Sequence, residues 1–121
     1  MSEPSLICIV DDDAVLRASV ADLMRAEGYV TAEFADAAAF LASDTKARCQ
    51  CVIADIQMPG MSGIELRRAM MAEGLTTPVI IITALVGEHW SARAAESGAG
   101  FLRKPLDTNA LFRLVTRSLA A

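Results

Sequence analysis

The chain has 121 residues, 54% of them hydrophobic and 21% charged, with a net charge of −4 and a pI of about 4.9. This length suits one domain with one core, and the hydrophobic content excludes a disordered chain. The acidic balance argues against direct nucleic-acid binding, and no apolar run approaches the ~20 residues of a membrane span. The segment Met1 to Ser5 lacks the basic and apolar parts of a signal peptide, so a cytoplasmic protein is expected. The three cysteines, Cys8, Cys49 and Cys51, are too few and too badly spaced for a zinc site; Cys8 reads as a small core residue.

Leu6 to Val10 is a continuous apolar run, the pattern of an inner parallel strand buried on both faces. It ends in Asp11-Asp12-Asp13, and Asp13 reads as the N-cap of a helix over 14–27. Leu16, Val20, Leu23 and Met24 share one face of that helix, and Gly28 ends it. Tyr29 to Phe34 alternates weakly and reads as an edge strand. Asp36 caps a short helix over 37–42 with Phe40 and Leu41 facing in, and Ser43 to Gln50 reads as a polar loop.

A third strand over 51–54 leads into Asp55, and Pro59-Gly60 forces a turn soon after. Asp55 therefore stands at the carboxyl end of an interior strand, where a charge needs a partner. Ser62 and Glu65 have capping-box spacing for a helix over 63–73 that buries Ile64, Leu66 and Met70. Val79 to Ile82 is a fourth strand followed by Thr83; a loop over 84–87 and a helix over 88–97 come next. Phe101 to Arg103 forms a short fifth strand closed by Lys104-Pro105, and Asp107 caps a last helix with the stripe Leu111, Leu114, Val115 and Leu119. Five strands alternating with five helices predict an α/β fold: a parallel sheet with helices on both faces, in the order 2-1-3-4-5, over a single domain 1–121.

In such sheets ligands bind at the carboxyl ends of the strands, near the point where strand order reverses. Asp11, Asp12, Asp55, Thr83 and Lys104 all fall there. Singly, each has an ordinary reading: acids at a helix start, a loop hydroxyl, a solvated lysine. Together they make a site. Clustered carboxylates repel one another unless a cation intervenes, and a hard divalent ion such as Mg²⁺ suits a site with few protein ligands. With that charge in place, and with Lys104 and Thr83 opposite, a phosphoryl group on Asp55 would be neutralised and hydrogen-bonded.

These residues resemble a known family. Val10-Asp11-Asp12-Asp13, the run Asp55 to Gly63, Thr83-Ala84 and Lys104-Pro105 are similar to the response-regulator receiver domain, the CheY-like (flavodoxin-like) fold, over nearly the whole chain. The resemblance implies that Asp55 is the phosphoacceptor, served by a sensor histidine kinase, a phosphotransfer protein or a small phosphodonor. It implies Mg²⁺, or Mn²⁺ in its place, held by Asp12, Asp55 and the Gln57 backbone carbonyl, with Asp11 acting through water. Lys104 and Thr83 would each hold a phosphoryl oxygen, and Phe101 occupies the aromatic switch position. The implied output is a change in the face made by the fourth helix, fifth strand and fifth helix, read by a partner or by a second copy in a homodimer. His89 and Trp90 lie on or near that face, Trp90 as an interface anchor or an ordinary half-exposed tryptophan.

Asp55 to Gly63 and Leu102 to Leu106 are most similar to receivers of the FixJ type, which usually precede a DNA-binding domain. Two features depart from the family pattern: Gly98 to Phe101 is one residue short, and Leu85 and Val86 replace a more polar loop. Three rival readings are a Mg²⁺-dependent phosphohydrolase, a flavodoxin-like cofactor binder and a degenerate receiver serving only as an interaction module. The first needs an acid–base where Gln57 stands, so the chain is not expected to be an enzyme. The second needs a phosphate loop where three aspartates stand, and the third is disfavoured by the complete residue set.

Overall fold

The computed structural model describes residues 4–84, 88–96 and 98–120. The apolar runs form strands β1 (Leu6–Val10), β2 (Val30–Phe34), β3 (Cys51–Asp55), β4 (Val79–Thr83) and β5 (Gly100–Arg103). The periodic segments form α1 (Ala14–Ala26), α2 (Ala37–Ala42), α3 (Gly63–Ala72), α4 (Glu88–Glu96) and α5 (Thr108–Ala120). All strand pairs are parallel, and the sheet order is β2-β1-β3-β4-β5, as the alternation predicts. Leu85, Val86 and the 84–87 loop beyond Ala84 lie outside the described residues, as does Ser97 at the expected end of α4.

Side chains alternate between faces along each strand, so the sheet carries two cores. Ile7, Ile9, Cys51, Ile53, Ile80 and Ile82 pack with Val20, Ala21, Met24, Leu111 and Val115, which places α1 and α5 on one face. Cys8, Val10, Val52, Ala54, Val79 and Ile81 pack with residues of α2, α3 and α4, including Phe40, Leu66, Met70 and Ala94. The cysteines follow the same alternation: Cys8 and Cys51 fall in opposite cores, and all three thiols are free and buried. Burial pushes the Cys51 thiol up to about 12, as suits an inert core residue.

The helix starts obey their capping residues. Asp13 accepts from the backbone N–H groups of Val15 and Leu16 at 3.1 Å each, and Asp36 accepts from Ala39 at 2.8 Å. Gly28, in the left-handed region at φ +93°, ends α1. Ser62 and Glu65 form the reciprocal capping box, with both bonds at 3.1 Å. Hydrogen bonds from Ser62 hold the Glu65 carboxyl below the usual carboxylate range. Replacing Ser62 by alanine is expected to cost about 1 kcal/mol, read as a lower urea midpoint with an unchanged slope.

Several boundaries differ from the sequence expectation: β2 begins at Val30, β3 runs on to Asp55, and α1 and α3 stop at Ala26 and Ala72. The polar loop over 43–50 contains a 3₁₀ turn, Asp44–Ala47, pinned to the end of α3 by a Lys46–Glu73 ion pair at 2.8 Å. Thr83 belongs to β4 instead of following it, and is completely buried. Gly100 joins β5, because it pairs with Ile80. Among the described residues no helix is long and apolar enough to cross a membrane.

Candidate functional site

The carboxyl ends of β1, β3, β4 and β5 converge as the strand order requires. β1 delivers Asp11, whose N–H donates to the Phe34 carbonyl at 3.1 Å. β3 delivers Asp55 and β4 delivers Thr83. Lys104 follows β5 and is drawn back to β4 by its own N–H, which donates to the Thr83 carbonyl at 2.8 Å. The Lys104–Pro105 peptide is cis.

The partner that Asp55 needs is Lys104. Its ammonium donates to Asp55 Oδ2 at 2.6 Å, while Asp55 Oδ1 accepts from the Gln57 backbone N–H at 2.9 Å. Asp55 is only 5% exposed, so this charge-assisted bond forms in a largely dry environment. Asp11 is 1% exposed. Its Oδ1 accepts from the Asp13 N–H at 2.9 Å, but Oδ2 has no hydrogen-bond partner, and the Lys104 Nζ stands 4.0 Å away. Burial raises the Asp11 carboxyl above its ordinary range; the charges of Asp55 and Asp12 push the same way, and the Asp13 N–H and Lys104 oppose them. Asp12 and the Gln57 side chain are exposed.

The structure thus brings Asp11, Asp55 and Lys104 together directly. Strand parity explains why. Asp11 continues the alternation of Ile9, Asp55 that of Ile53, and Lys104 that of Leu102, all members of the α1/α5 core or packed on it. Thr83 has the parity of Ile81 and belongs to the opposite face, towards α4. Phe101 pairs in register with Ile81 and is half-buried on that same face, so Thr83 and Phe101 are diagonal neighbours. The Arg103 guanidinium lies 5.8 Å from the Phe101 ring centroid. On α4, Trp90 is half-buried, with the His89 ring centroid at 4.6 Å and the Arg93 guanidinium at 5.3 Å.

The fit to a divalent cation rests on the donor set. Among the described residues no three carboxylate, thiol or imidazole side chains form a ready ligand cluster. The Lys104 ammonium stands between Asp55 and Asp11 and supplies the compensating charge there. Even so, the available donors are carboxylate oxygens and one is buried without a hydrogen-bond partner, an arrangement that suits a hard ion retaining several waters.

Two contributors were not legible as site residues. Gly63 opens α3 against β3: a Cβ there would stand 2.5 Å from the Asp55 carbonyl oxygen, and only hydrogen leaves room. The sequence presents Gly63 as the end of the run Asp55 to Gly63 and the first residue after a cap, with no role of its own. Arg17, on α1, donates from Nη1 to the Asp11 carbonyl at 2.6 Å. Nothing in a helical arginine's sequence context separates that role from a solvated charge.

Residues 7–116 match the family model described as the response regulator receiver domain. The chain is 34% identical over 120 residues to the transcriptional regulatory protein FixJ of Azorhizobium caulinodans, covering 98% of this chain and 57% of that protein. It is 36% identical over 116 residues to the C4-dicarboxylate transport transcriptional regulatory protein DctR of Rhodobacter capsulatus, covering 93% and 59% respectively. The chain therefore spans less than two thirds of the length of these curated relatives. Among solved structures it is similar to FixJ-N, with a TM-score of 0.87 at 27% identity over 98% of this chain and 96% of that one. It is also similar to the Vibrio cholerae chemotaxis protein CheY4, with a TM-score of 0.85 at 29% identity over 97% of this chain and 100% of that one.

Proposed function

The chain belongs to the response regulator receiver domain family, and from that premise we propose that it is a phosphorylation-controlled switch with Asp55 as the phosphoacceptor. The observation that carries this reading is the 2.6 Å contact from the Lys104 ammonium to Asp55 Oδ2 beside the unpartnered Asp11 Oδ2. It combines a nucleophilic oxygen, a cation to follow the incoming charge and a spare acceptor oxygen for a water of the ion.

Asp12, Asp55 and the Gln57 carbonyl are the groups that would hold Mg²⁺, with Asp11 linked through water. The ion would supply charge neutralisation for the incoming phosphoryl group. In the transfer an Asp55 carboxylate oxygen forms a bond to phosphorus, and the bond from phosphorus to the donor breaks: an N–P bond for a kinase phosphohistidine, an O–P bond for acetyl phosphate. The electron pair leaves with the imidazole or the acetate. Lys104 shifts its hydrogen bond from the carboxylate to a phosphoryl oxygen, and the Thr83 hydroxyl takes another. Thr83 lies on the α4 face beside Phe101, so drawing Thr83 inward would change the packing of Phe101 and the α4–β5–α5 surface. A downstream partner, or a second copy, would read that surface. Gln57 cannot transfer a proton, so hydrolysis of the acyl phosphate should be slow and the chain should hold its state instead of turning substrate over.

Incubation with Mg²⁺ and acetyl phosphate, followed by intact-mass measurement, tests the reading. The expected result is a gain of one phosphate, absent in Asp55→Ala. No adduct together with rapid phosphate release would indicate a phosphohydrolase. No adduct and no Mg²⁺-dependent change in Trp90 fluorescence would indicate an interaction module and sink the switch.

A further inference from the structure

We propose that Arg17 is a positioning residue for the cation site: with Glu33, it fixes the Asp11 peptide so that Oδ2 is presented to the water shell of a bound ion. This inference rests on the cation-site reading above. Three constraints meet on Asp11. Its N–H is held by the Phe34 carbonyl of β2 at 3.1 Å. Its carbonyl accepts from Arg17 Nη1 of α1 at 2.6 Å. Its Oδ1 accepts from the Asp13 N–H at 2.9 Å. Only Oδ2 is left without a hydrogen bond.

Arg17 is itself fixed at both ends of its reach. Its own N–H donates to the Asp13 carbonyl at 2.9 Å within the first turn of α1. Its Nε lies 3.5 Å from Glu33 Oε1 on β2, and the two side chains are 19% and 35% exposed. The planar guanidinium thus spans the end of β1, the start of α1 and the edge strand, a geometry a lysine ammonium cannot reproduce at both contacts. Glu33 also compensates the guanidinium charge, so that it does not oppose a cation held by the neighbouring acids.

Two physical effects of removing Arg17 have opposite signs, which makes the proposal testable. Removing a positive charge near the carboxylates would by itself tighten cation binding. Releasing the Asp11 peptide would weaken it, and loss of a residue that orients a ligand typically costs 10–100-fold in metal affinity. The experiment is a Mg²⁺ titration by calorimetry on the wild type, Arg17→Ala, Arg17→Lys, Glu33→Gln and Asp11→Asn, with a metal-free thermal melt of each. The expected result is about a tenfold weaker Mg²⁺ affinity for Arg17→Ala, partial recovery in Arg17→Lys and a smaller loss in Glu33→Gln. A lowered melting temperature with unchanged or tighter Mg²⁺ affinity in Arg17→Ala would show a purely structural arginine and overturn the proposal. Should Arg17→Ala fail to fold, equal affinities in wild type, Arg17→Lys and Glu33→Gln would overturn it instead. If the wild type binds no Mg²⁺, as Asp11→Asn should not, the cation-site reading itself fails, a result distinct from failure at Arg17 alone.

Discussion

Replacing Asp11 by asparagine is expected to make the metal-free protein more stable while abolishing its response to Mg²⁺. Folding buries this carboxyl almost completely and leaves Oδ2 without a hydrogen bond. Burial raises its pKa above the ordinary 3.8, so folding favours the protonated form. That favourable contribution is fully present below the unfolded pKa and is lost as the pH rises through the higher folded value. At neutral pH the ionised group therefore burdens the fold, and asparagine removes that burden. Asparagine also keeps an oxygen for the Asp13 N–H. The expected gain is about 1 kcal/mol, measured by urea denaturation at pH 7 without metal. The gap between variant and wild type should narrow as the pH falls towards the ordinary carboxylate range. Wild type should gain melting temperature with added Mg²⁺, as any ligand that binds only the folded state requires, and the variant should not. Equal stability of the two proteins across the pH range would show that Asp11 carries no such cost.

A methyl group at Gly63 should produce the opposite kind of damage. The added Cβ would meet the Asp55 carbonyl oxygen at 2.5 Å, the Asp55 carbonyl carbon at 3.1 Å and Ile81 Cδ1 at 3.0 Å. Two of these are backbone atoms of an interior strand and cannot move without carrying the carboxylate with them. Gly63→Ala is therefore expected to cost about 3 kcal/mol, the upper end of ordinary overpacking. Any folded fraction should form the acetyl phosphate adduct more slowly, because displacing the Asp55 backbone disturbs the contact of its carboxylate with Lys104. A variant that melts like wild type would show that α3 slides away from β3 freely.

Much of the fold was written in patterns of local period. Leu6 to Val10 and Val79 to Ile82 are apolar on both faces and could only be interior strands, which they are. The weaker alternation of Tyr29 to Phe34 still marked an edge, because Glu33 would be costly in a centre. Ser43 to Gln50 carries no period; its 3₁₀ turn is closed by backbone bonds to the Thr45 carbonyl and meets Glu73, distant in sequence, through Lys46. The candidate site divides the same way. Asp11, Asp55 and Lys104 could be placed at one sheet edge from strand ends alone. Their distances could not, and neither could the lone oxygen of Asp11, since a missing partner is a property of three-dimensional surroundings. Gly63 and Arg17 were hidden for opposite reasons: one has no side chain to leave a signature, and the other has a side chain common on any exposed helix.

The sheet also acts as a partition one residue thick. Asp11, Asp55 and Lys104 follow the parity of one core, and Thr83 and Phe101 that of the other. On the proposed reading, the Lys104–Asp55 pair and the α4 surface follow opposite faces of the sheet, and Thr83 links them from the α4 side. Substitutions that reshape the α4 side can alter what the molecule recognises without touching the Lys104–Asp55 pair. Substitutions on α4 that spare Thr83 would then change recognition while leaving the Lys104–Asp55 contact intact.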